Sequence, residues 1–239
     1  MFKIIRMVKR RSDMTLAQFK DYWLTQHAEL HRKSMDLCPV QKIVASFSTG
    51  EVALGGTEPQ FDAMSAIYFK TLEDLRAAKA GPVPGMLAND EKNFVGSVPI
   101  AIVADEHIMS RKPGAEKVLK KSGQLKIIRT VYRRKDLTHQ QFKDYWLNNH
   151  SRLENVVVTQ SPTQYIVATF AVPEPGKEPD MDGMVELYYE SLADIRAMFA
   201  SKFPQMMRDD EQNFVQMDAP AIRAVTEEHL IAERTGGRS

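Results

Sequence analysis

The chain of 239 residues has one cysteine, almost no net charge and no long apolar run. Cys38 stands alone, which excludes an intramolecular disulfide and a cysteine-rich metal site. The net charge of +1 gives no electrostatic reason to expect nucleic acid or a membrane surface as a partner. In the beginning, MFKIIRMVKRR, the apolar run is too short for a signal peptide or a membrane span. We therefore expect a soluble, cytoplasmic protein.

Several cofactor-binding and catalytic motifs are also missing. The sequence has no glycine-rich phosphate loop, no dinucleotide fingerprint and no nucleophile elbow. Asp90 and Asp210, each followed by a glutamate, have the composition of a metal cluster, but no histidine or cysteine follows at ligand spacing. We interpret both aspartates as helix-capping or solvated-turn residues. The sequence thus predicts an activity that needs no metal and no cofactor.

What the chain does contain is a tandem repeat. KIIRMVKRRSDMTLAQFKDYWLTQHAEL, from Lys3, matches KIIRTVYRRKDLTHQQFKDYWLNNHSRL, from Lys126, at an offset of about 123 residues. DEKNFV and DEQNFV, at Asp90 and Asp210, end the matching regions. The repeat predicts two domains with a basic linker and a flexible tail. The expected boundaries are 1–108 and 125–230 for the repeats, 109–124 for the linker and 231–239 for the tail.

Each repeat has the pattern of strands and helices in the order βαββαβ. Capping boxes at Thr15 and Thr138 predict helices that start near Leu16 and His139. Second helices are expected near Leu72 and Leu192. The predicted strands are 2–8, 42–47, 63–69 and 97–104 in the first repeat, and 125–132, 165–170, 184–189 and 220–225 in the second. Loops are expected around Gly55 and Gly56, and over 173–179.

The order βαββαβ is the ferredoxin-like split motif, whose antiparallel sheet carries helices on one face. The strands are apolar on both faces, so the other face needs cover as well. A tandem repeat supplies a second sheet for that purpose. We therefore predict an α+β fold in which two ferredoxin-like repeats pack sheet to sheet as an intrachain pseudo-dimeric α+β barrel.

These motifs resemble the EthD-type members of the dimeric α+β barrel superfamily. The resemblance rests on RR-x-D-[ML]-T-x3-F-x2-YW-x3-H in both repeats, on DGM-x-ELYYESL from Asp182, and on DE-x-NFV. It implies a small cofactor-free enzyme with its pocket between the sheet and the helices. Relatives in the superfamily include decarboxylases, cyclases, isomerases, dehydratases and oxygen-using enzymes of aromatic or polyketide-like substrates. The first repeat departs from the pattern, with Ala63 and Ala66 where the second has Gly183 and Glu186.

His27 and His150 are the candidate proton-transfer residues. Both fall on the apolar stripe of their helix, where a histidine is either a core residue bonded to a carbonyl or a pocket group. Their recurrence, together with the resemblance, favours the pocket role. An imidazole with an ordinary pKa near 6.5 can give or take a proton at neutral pH.

Glu186 is the third candidate catalytic residue. It lies inside an apolar strand, where burial of a carboxylate is energetically unfavourable. Such a residue is expected to have either an ion-pair partner or a function. One interpretation is an ion pair with Arg129 or Lys126. The other is a carboxylate that acts as a base or orients the imidazole of His150.

The candidate substrate-binding residues are aromatic or basic side chains that recur in both repeats. The tyrosines of the third strands offer a hydroxyl for a carboxylate or phenolate, although packing also explains them. The helix aromatics belong to the core or to a substrate wall. The arginines of the first strands bind an acidic substrate or form internal salt bridges. The set is Tyr188, Tyr68, Trp146, Trp23, Arg129, Arg6, Tyr145 and Tyr22.

The resulting hypothesis is a cofactor-independent lyase, a decarboxylase of an aromatic or phenolic carboxylic acid. His150 or His27 moves the proton, and the substrate itself delocalises the carbanion. A cyclase, dehydratase or isomerase of an aromatic or polyketide-like acid is the alternative within enzymes. A non-catalytic module that binds a small apolar acid is the alternative outside them. Both a monomeric pseudo-dimer and a homodimer are compatible with the repeat.

Overall fold

A computed structural model describes residues 1–51, 60–118 and 122–234. The predicted loop at Gly55 and Gly56, and the part of the predicted tail beyond residue 234, lie outside these described residues. The chain divides into two compact units. Among the described residues, the first unit consists of 1–48, 60–105 and 228–234, and the second of 49–51, 106–118 and 122–227.

The helices and strands follow the predicted order in both repeats, with further helical elements between them. Each first helix continues through one π-helical turn into a second α-helix. In the first half of the chain the elements are β1 (Phe2–Arg10), α1 (Leu16–Tyr22), a π-helical turn (Trp23–His27), α2 (Ala28–Leu37), β2 (Lys42–Ser48), β3 (Ala63–Phe69), α3 (Leu72–Ala80), α4 (Val83–Glu91) and β4 (Val95–Arg111). In the second half they are α5 (Ala115–Val118), β5 (Ser122–Val131), α6 (His139–Tyr145), a π-helical turn (Trp146–His150), α7 (Ser151–Gln160), β6 (Tyr165–Ala171), β7 (Gly183–Tyr189), α8 (Leu192–Phe199), α9 (Phe203–Glu211) and β8 (Arg223–Glu233).

The strands of each unit form an antiparallel sheet. In the first unit β3 pairs with β1 and β2, and β1 also pairs with β4. In the second unit β7 pairs with β5 and β6. The mixed α+β character of the predicted fold is therefore confirmed. The sheet-to-sheet packing of two ferredoxin-like repeats stays a prediction.

The last strands and the connecting segments differ from the prediction. Strand β4 runs to Arg111 and β5 begins at Ser122, so both ends of the expected linker are strand. Strand β8 begins at Arg223, later than expected, and continues to Glu233. Its end belongs to the first unit, where the guanidinium of the next residue, Arg234, donates to the Val40 carbonyl at 2.7 Å. Residues 231–233, expected in the tail, thus belong to a strand, and the Arg234 N–H donates to the Gln41 carbonyl at 2.8 Å.

Each first helix begins at the residue that the capping box predicts. The hydroxyls of Thr15 and Thr138 accept the backbone N–H of the glutamine three residues later, and those glutamines bond back to the threonine N–H. The π-helical turns were not predicted. Each turn ends at the repeated histidine and holds one more residue than an α-helical turn, a feature that is frequent at functional sites.

The helices cover one face of each sheet with aromatic packing. In the second unit Phe142 lies edge-on to Trp146, with ring centroids 5.6 Å apart, and Trp146 contacts Phe170 and Phe214. In the first unit Phe19 and Trp23 make the matching contacts. The opposite faces of the central strands are buried as well, as the nearly continuous apolar runs predicted. Within the described ranges, no helix has both the length and the apolar composition that a membrane span needs.

Gly183 provides a test of the packing between β7 and α6. A Cβ at this position would lie 3.1 Å from a Trp146 ring carbon and 3.2 Å from a Phe142 ring carbon. Gly183→Ala should therefore lower the free energy of unfolding by about 1 kcal/mol through overpacking. The matched reverse change, Ala63→Gly in the first unit, should also destabilise by about 1 kcal/mol, since glycine weakens a strand interior. Urea unfolding of both variants measures this, and a more stable Gly183→Ala variant would contradict it.

Candidate active site

A cavity lies between the sheet and the helices of the second unit. Its apolar wall includes Ile127, Val131, Val185, Leu187, Met198 and Phe199. Its polar lining consists of Arg129, His150, Glu154, Arg208, Glu211 and Arg223. The location is the one that the EthD resemblance implied. A mostly apolar cavity with a few convergent polar groups is typical of a small-molecule site.

His150 is held in this cavity by Asp210. The Nδ1 atom of His150 lies 2.7 Å from Oδ2 of Asp210, at the end of α9. The Tyr145 hydroxyl donates to the other oxygen of Asp210 at 2.9 Å. The carboxylate therefore accepts the Nδ1 proton, and Nε2 is the ring nitrogen that can accept a proton from a ligand. This arrangement is a histidine–aspartate dyad of the kind that performs general-base catalysis.

The charge state of His150 suits a base at neutral pH. Burial lowers the pKa of His150 from its ordinary value of 6.5, and the hydrogen bond to Asp210 acts in the opposite direction. Because the pKa is lowered, the imidazole is neutral at pH 7. The imidazole becomes charged, and loses its basic lone pair, only as the pH falls below this lowered pKa.

The same dyad occurs in the first unit. Nδ1 of His27 lies 2.8 Å from Oδ2 of Asp90, and the Tyr22 hydroxyl donates to Oδ1 of Asp90 at 2.8 Å. Burial lowers the pKa of His27 too. The interpretation of Asp90 and Asp210 as helix-capping or solvated-turn residues is therefore wrong. Their carboxylates bind the histidines of the same unit. Helices α4 and α9 place the start of each DE-x-NFV motif next to the π-helical turn.

Arg6 and Arg129 form internal salt bridges. Arg6 pairs with Glu91, and Arg129 pairs with Glu211, the glutamates next to the two dyad aspartates. The salt-bridge alternative is thus correct for both arginines. Arg129 still lines the cavity, but its charge is compensated there.

Two other arginines of the cavity, Arg208 and Arg223, have no ion-pair partner among the described residues. Within the described residues, the guanidinium groups of Arg208 and Arg223 make no hydrogen bond or ion pair. The pKa of Arg223 is lowered from 12.5, first by burial and then by the positive charges of Arg129 and Arg208, while the Glu211 carboxylate acts in the opposite direction. Arg208 is exposed and Arg223 is half-buried. Neighbouring guanidinium groups that repel one another create a region that favours an anion.

The tryptophans of the π-helical turns belong to the core, and one also lines the cavity. Trp146 contributes to the cavity wall and donates its indole N–H to Glu154 Oε1 at 2.9 Å. Trp23 is equally buried, but its indole nitrogen has no hydrogen-bond partner among the described residues. The hydroxyls of Tyr22 and Tyr145 donate to the dyad aspartates, so these tyrosines help to position the carboxylates that bind the histidines.

Glu186 does not contact His150. It pairs with the buried Lys126, and the Tyr188 hydroxyl lies 3.5 Å from its Oε2. Strand alternation turns these three side chains to the sheet face away from the cavity, since Val185 and Leu187 line the cavity. The expectation that Glu186 orients the imidazole is corrected, because Asp210 does so. Tyr188 also stands away from the cavity.

Tyr68 occupies the equivalent face of the first unit. Its ring lies 4.2 Å from Lys42 Nζ and 5.4 Å from Lys3 Nζ, measured to the ring centroid. It packs with Val44 and Ala66 on the sheet face that is turned away from the helices. The structure therefore does not bring Tyr68 together with His27.

The two units share the dyad but differ in the residues around it. Alignment of the helix motifs assigns His31 to the position of Glu154, and alignment of the DE-x-NFV motifs, at Asp90 and Asp210, assigns Ala88 to the position of Arg208. Matching of the segment EHI, from Glu106, with EHL, from Glu228, assigns Ala101 to the position of Arg223. The first unit thus lacks counterparts of Arg208, Arg223 and Glu154. The expectation that the second repeat is the better candidate for chemistry rests on these residues rather than on Glu186.

One other cluster of possible ligands lies at the start of α6. Nε2 of His139 lies 3.0 Å from Asp182 Oδ1, and Glu178 completes the group. Arg133 pairs with both carboxylates, at 2.9 Å to Glu178 and 3.0 Å to Asp182. Because the guanidinium already supplies the positive charge, we interpret this cluster as an ion-pair network.

The family model for the EthD domain matches the chain twice, over residues 11–97 and 134–218. The chain therefore belongs to the EthD domain family, with two copies in tandem. No curated protein matches the sequence.

Solved structures with similar folds have little sequence in common with this chain. An anthrone oxidase-like protein matches with 9% identity and a TM-score of 0.58, over 100% of this chain and 96% of its own. A candidate monooxygenase from Fusobacterium nucleatum matches with 9% identity and a TM-score of 0.58, over 99% of this chain and 94% of its own. A candidate chlorite dismutase matches with 7% identity and a TM-score of 0.54, over 97% and 94%. At such identities the similarity concerns the fold.

Proposed function

We propose that the chain is a cofactor-independent enzyme that transfers a proton on a small, largely apolar organic acid. The proposed reaction is decarboxylation of an aromatic or phenolic carboxylic acid. The observation that carries this proposal is the His150–Asp210 dyad at an apolar cavity that also holds two arginines without an ion-pair partner among the described residues. The dyad suits removal of a phenolic proton, the arginines suit a carboxylate, and the apolar wall suits an aromatic ring.

The chemistry needs little more than these groups. Neutral His150 accepts the proton of the substrate's hydroxyl at Nε2, and the resulting imidazolium is stabilised by Asp210. Electron density then moves into the ring, which prepares the ring carbon for protonation and loss of carbon dioxide. The apolar wall lowers the local dielectric constant, which strengthens these electrostatic interactions.

An assay without added cofactor tests the proposal. The purified full chain is incubated with a panel of hydroxybenzoates and hydroxynaphthoates in the presence of a chelator, and products are followed by mass spectrometry. Loss of carbon dioxide supports decarboxylation. Loss of water alone would favour a dehydratase or cyclase. Binding of several acids without any turnover would exclude the enzyme and favour the binding module.

An oxygen-using reaction is the second candidate, since two of the similar solved structures are described as anthrone oxidase-like and as a candidate monooxygenase. Such a reaction on a phenolic substrate begins with the same proton abstraction by His150. An anthrone is therefore included in the panel under air. Gain of oxygen with uptake of dioxygen would replace decarboxylation as the proposed reaction.

Arg223 provides a test of how the acid is bound. Arg223→Leu should raise KM for an active acid by about 10-fold or more, because a charge-assisted hydrogen bond contributes roughly 1.5–3 kcal/mol. It should change kcat much less, since the arginine binds a group that is present in both the ground and the transition state. The control is Arg152→Leu, which removes an exposed arginine of α7 outside the cavity. Equal KM values for Arg223→Leu and wild type would show that the acid binds elsewhere.

A further inference from the structure

Glu154 lies one helical turn beyond His150 and lines the same cavity. Trp146, His150 and Glu154 follow one another at intervals of four residues, through the π-helical turn into α7. The Glu154 side chain is fully buried. Its Oε1 accepts the indole N–H of Trp146 at 2.9 Å, and its Oε2 has no hydrogen-bond partner among the described residues.

This environment favours the neutral carboxylic acid. Among the described side chains around it, Trp146 gives a hydrogen bond, His150 is neutral, and Glu211 adds a negative charge from α9 that its partner Arg129 balances. Burial is the largest cause that raises the pKa of Glu154 to about 8, and the Glu211 charge acts in the same direction. At pH 7 the side chain therefore keeps its proton, and an O–H group without an acceptor lies at the cavity.

The first unit has a different group at this position. His31 is buried, both of its ring nitrogens lack hydrogen-bond partners among the described residues, and the indole nitrogen of Trp23 is also unpartnered. The pKa of His31 is lowered to about 3, chiefly by burial. A neutral imidazole of this kind is a poor proton donor. The acid is therefore particular to the cavity that also holds Arg208 and Arg223.

We propose that Glu154 is the general acid of this cavity and delivers a proton to the substrate's ring carbon, while His150 accepts the proton of the substrate's hydroxyl. The assignment rests on the proposed function. The Glu154 proton forms a C–H bond at the carbon that bears the carboxylate. The bond from that carbon to the carboxylate then breaks, carbon dioxide leaves, and the electron pair of that bond restores the aromatic ring. His150 returns its proton to the phenolate oxygen, and Glu154 takes up one proton from solvent. The net change is one carboxylate and one proton converted into one arene and one carbon dioxide.

Glu154→Gln tests the assignment, because glutamine still offers a carbonyl oxygen to Trp146 but has no acidic proton. In the full chain, kcat for an active acid should fall by about 100-fold or more, with KM little changed. Wild-type kcat should decline as the pH rises through about 8, where Glu154 loses its proton, and the residual activity of the variant should lack this decline. Glu190→Gln, at an exposed glutamate outside the cavity, is the matched control. A Glu154→Gln enzyme with near-normal kcat would overturn the assignment.

A second measurement separates this assignment from the proposed function. Resorcinol is incubated with the protein in D2O, and incorporation of deuterium into the ring is followed by mass spectrometry. Wild type should catalyse this exchange and Glu154→Gln should not. Exchange without decarboxylation of any acid would overturn the proposed reaction and support Glu154 as acid. Decarboxylation that survives in Glu154→Gln would support the reaction and overturn Glu154. Absence of both reactions in wild type would overturn both proposals.

Infrared spectroscopy keeps the test decisive if the variant does not fold. Wild type should have the carbonyl band of a protonated carboxylic acid at pH 7, and the band should disappear as the pH rises past about 8. Absence of the band at pH 7 would overturn the assignment without any substrate.

Discussion

His150→Ala is expected to lower kcat for an active acid by about 100-fold or more, because it removes the base that accepts the substrate's proton. The variant should stay folded, since it loses the imidazole contacts with Trp146 and Phe214 but keeps the contacts of Trp146 with Phe142 and Phe214. Wild-type activity should also fall as the pH drops below the lowered pKa of His150, because the protonated imidazole cannot act as a base. Steady-state kinetics over a range of pH measure both effects.

The duplicated chain contains its own control for this experiment. His27→Ala removes the matching dyad with Asp90 in the first unit, where Ala88, Ala101 and His31 replace the acid-binding and acidic residues. Most of the turnover should remain in that variant. Asp210→Asn, which keeps the shape of the site but weakens its hold on Nδ1, should lower kcat by roughly 10-fold or more. Normal rates in His150→Ala, or equal losses in both histidine variants, would contradict the assignment to the second unit.

Glu186→Leu is expected to lower the free energy of unfolding by about 3 kcal/mol or more, because it leaves the ammonium of Lys126 buried without this carboxylate. The double variant Lys126→Met/Glu186→Leu should recover most of that loss, since similar-sized apolar pairs often replace a buried ion pair at little cost. Urea unfolding of the single and double variants measures the coupling between the two side chains.

The same variants test the role of Glu186 in catalysis. If Glu186 is a structural residue on the far side of the sheet, as its pairing with Lys126 indicates, the folded double variant should retain turnover. A double variant that is stable but inactive would restore the catalytic role expected from the sequence. A single variant as stable as wild type would contradict the structural role as well.

The catalytic candidates were harder to predict than the fold, and Glu186 illustrates why. Period-two alternation correctly grouped Glu186 with Tyr188 on one face of its strand. Alternation does not indicate which face is turned to the helices, because both faces of the strand are buried. The partner of His150 was missed for a related reason. Asp210 lies 60 residues away along the chain, and the recurrence of DE-x-NFV beside each histidine motif was the available signal.

The sequence by itself determined the duplication, the helix starts at Leu16 and His139, the central strands of both repeats and membership of the EthD family. These features depend on interactions within a few residues, such as the capping boxes and the apolar runs, which can be recognised along the chain. The tertiary structure alone decided that Asp210 binds His150 and that Arg208, Arg223 and Glu154 share one cavity. The physical reason is that packing, rather than local sequence, brings α7, α9 and β8 together around that space, and the burial that results sets the protonation of His150 and Glu154.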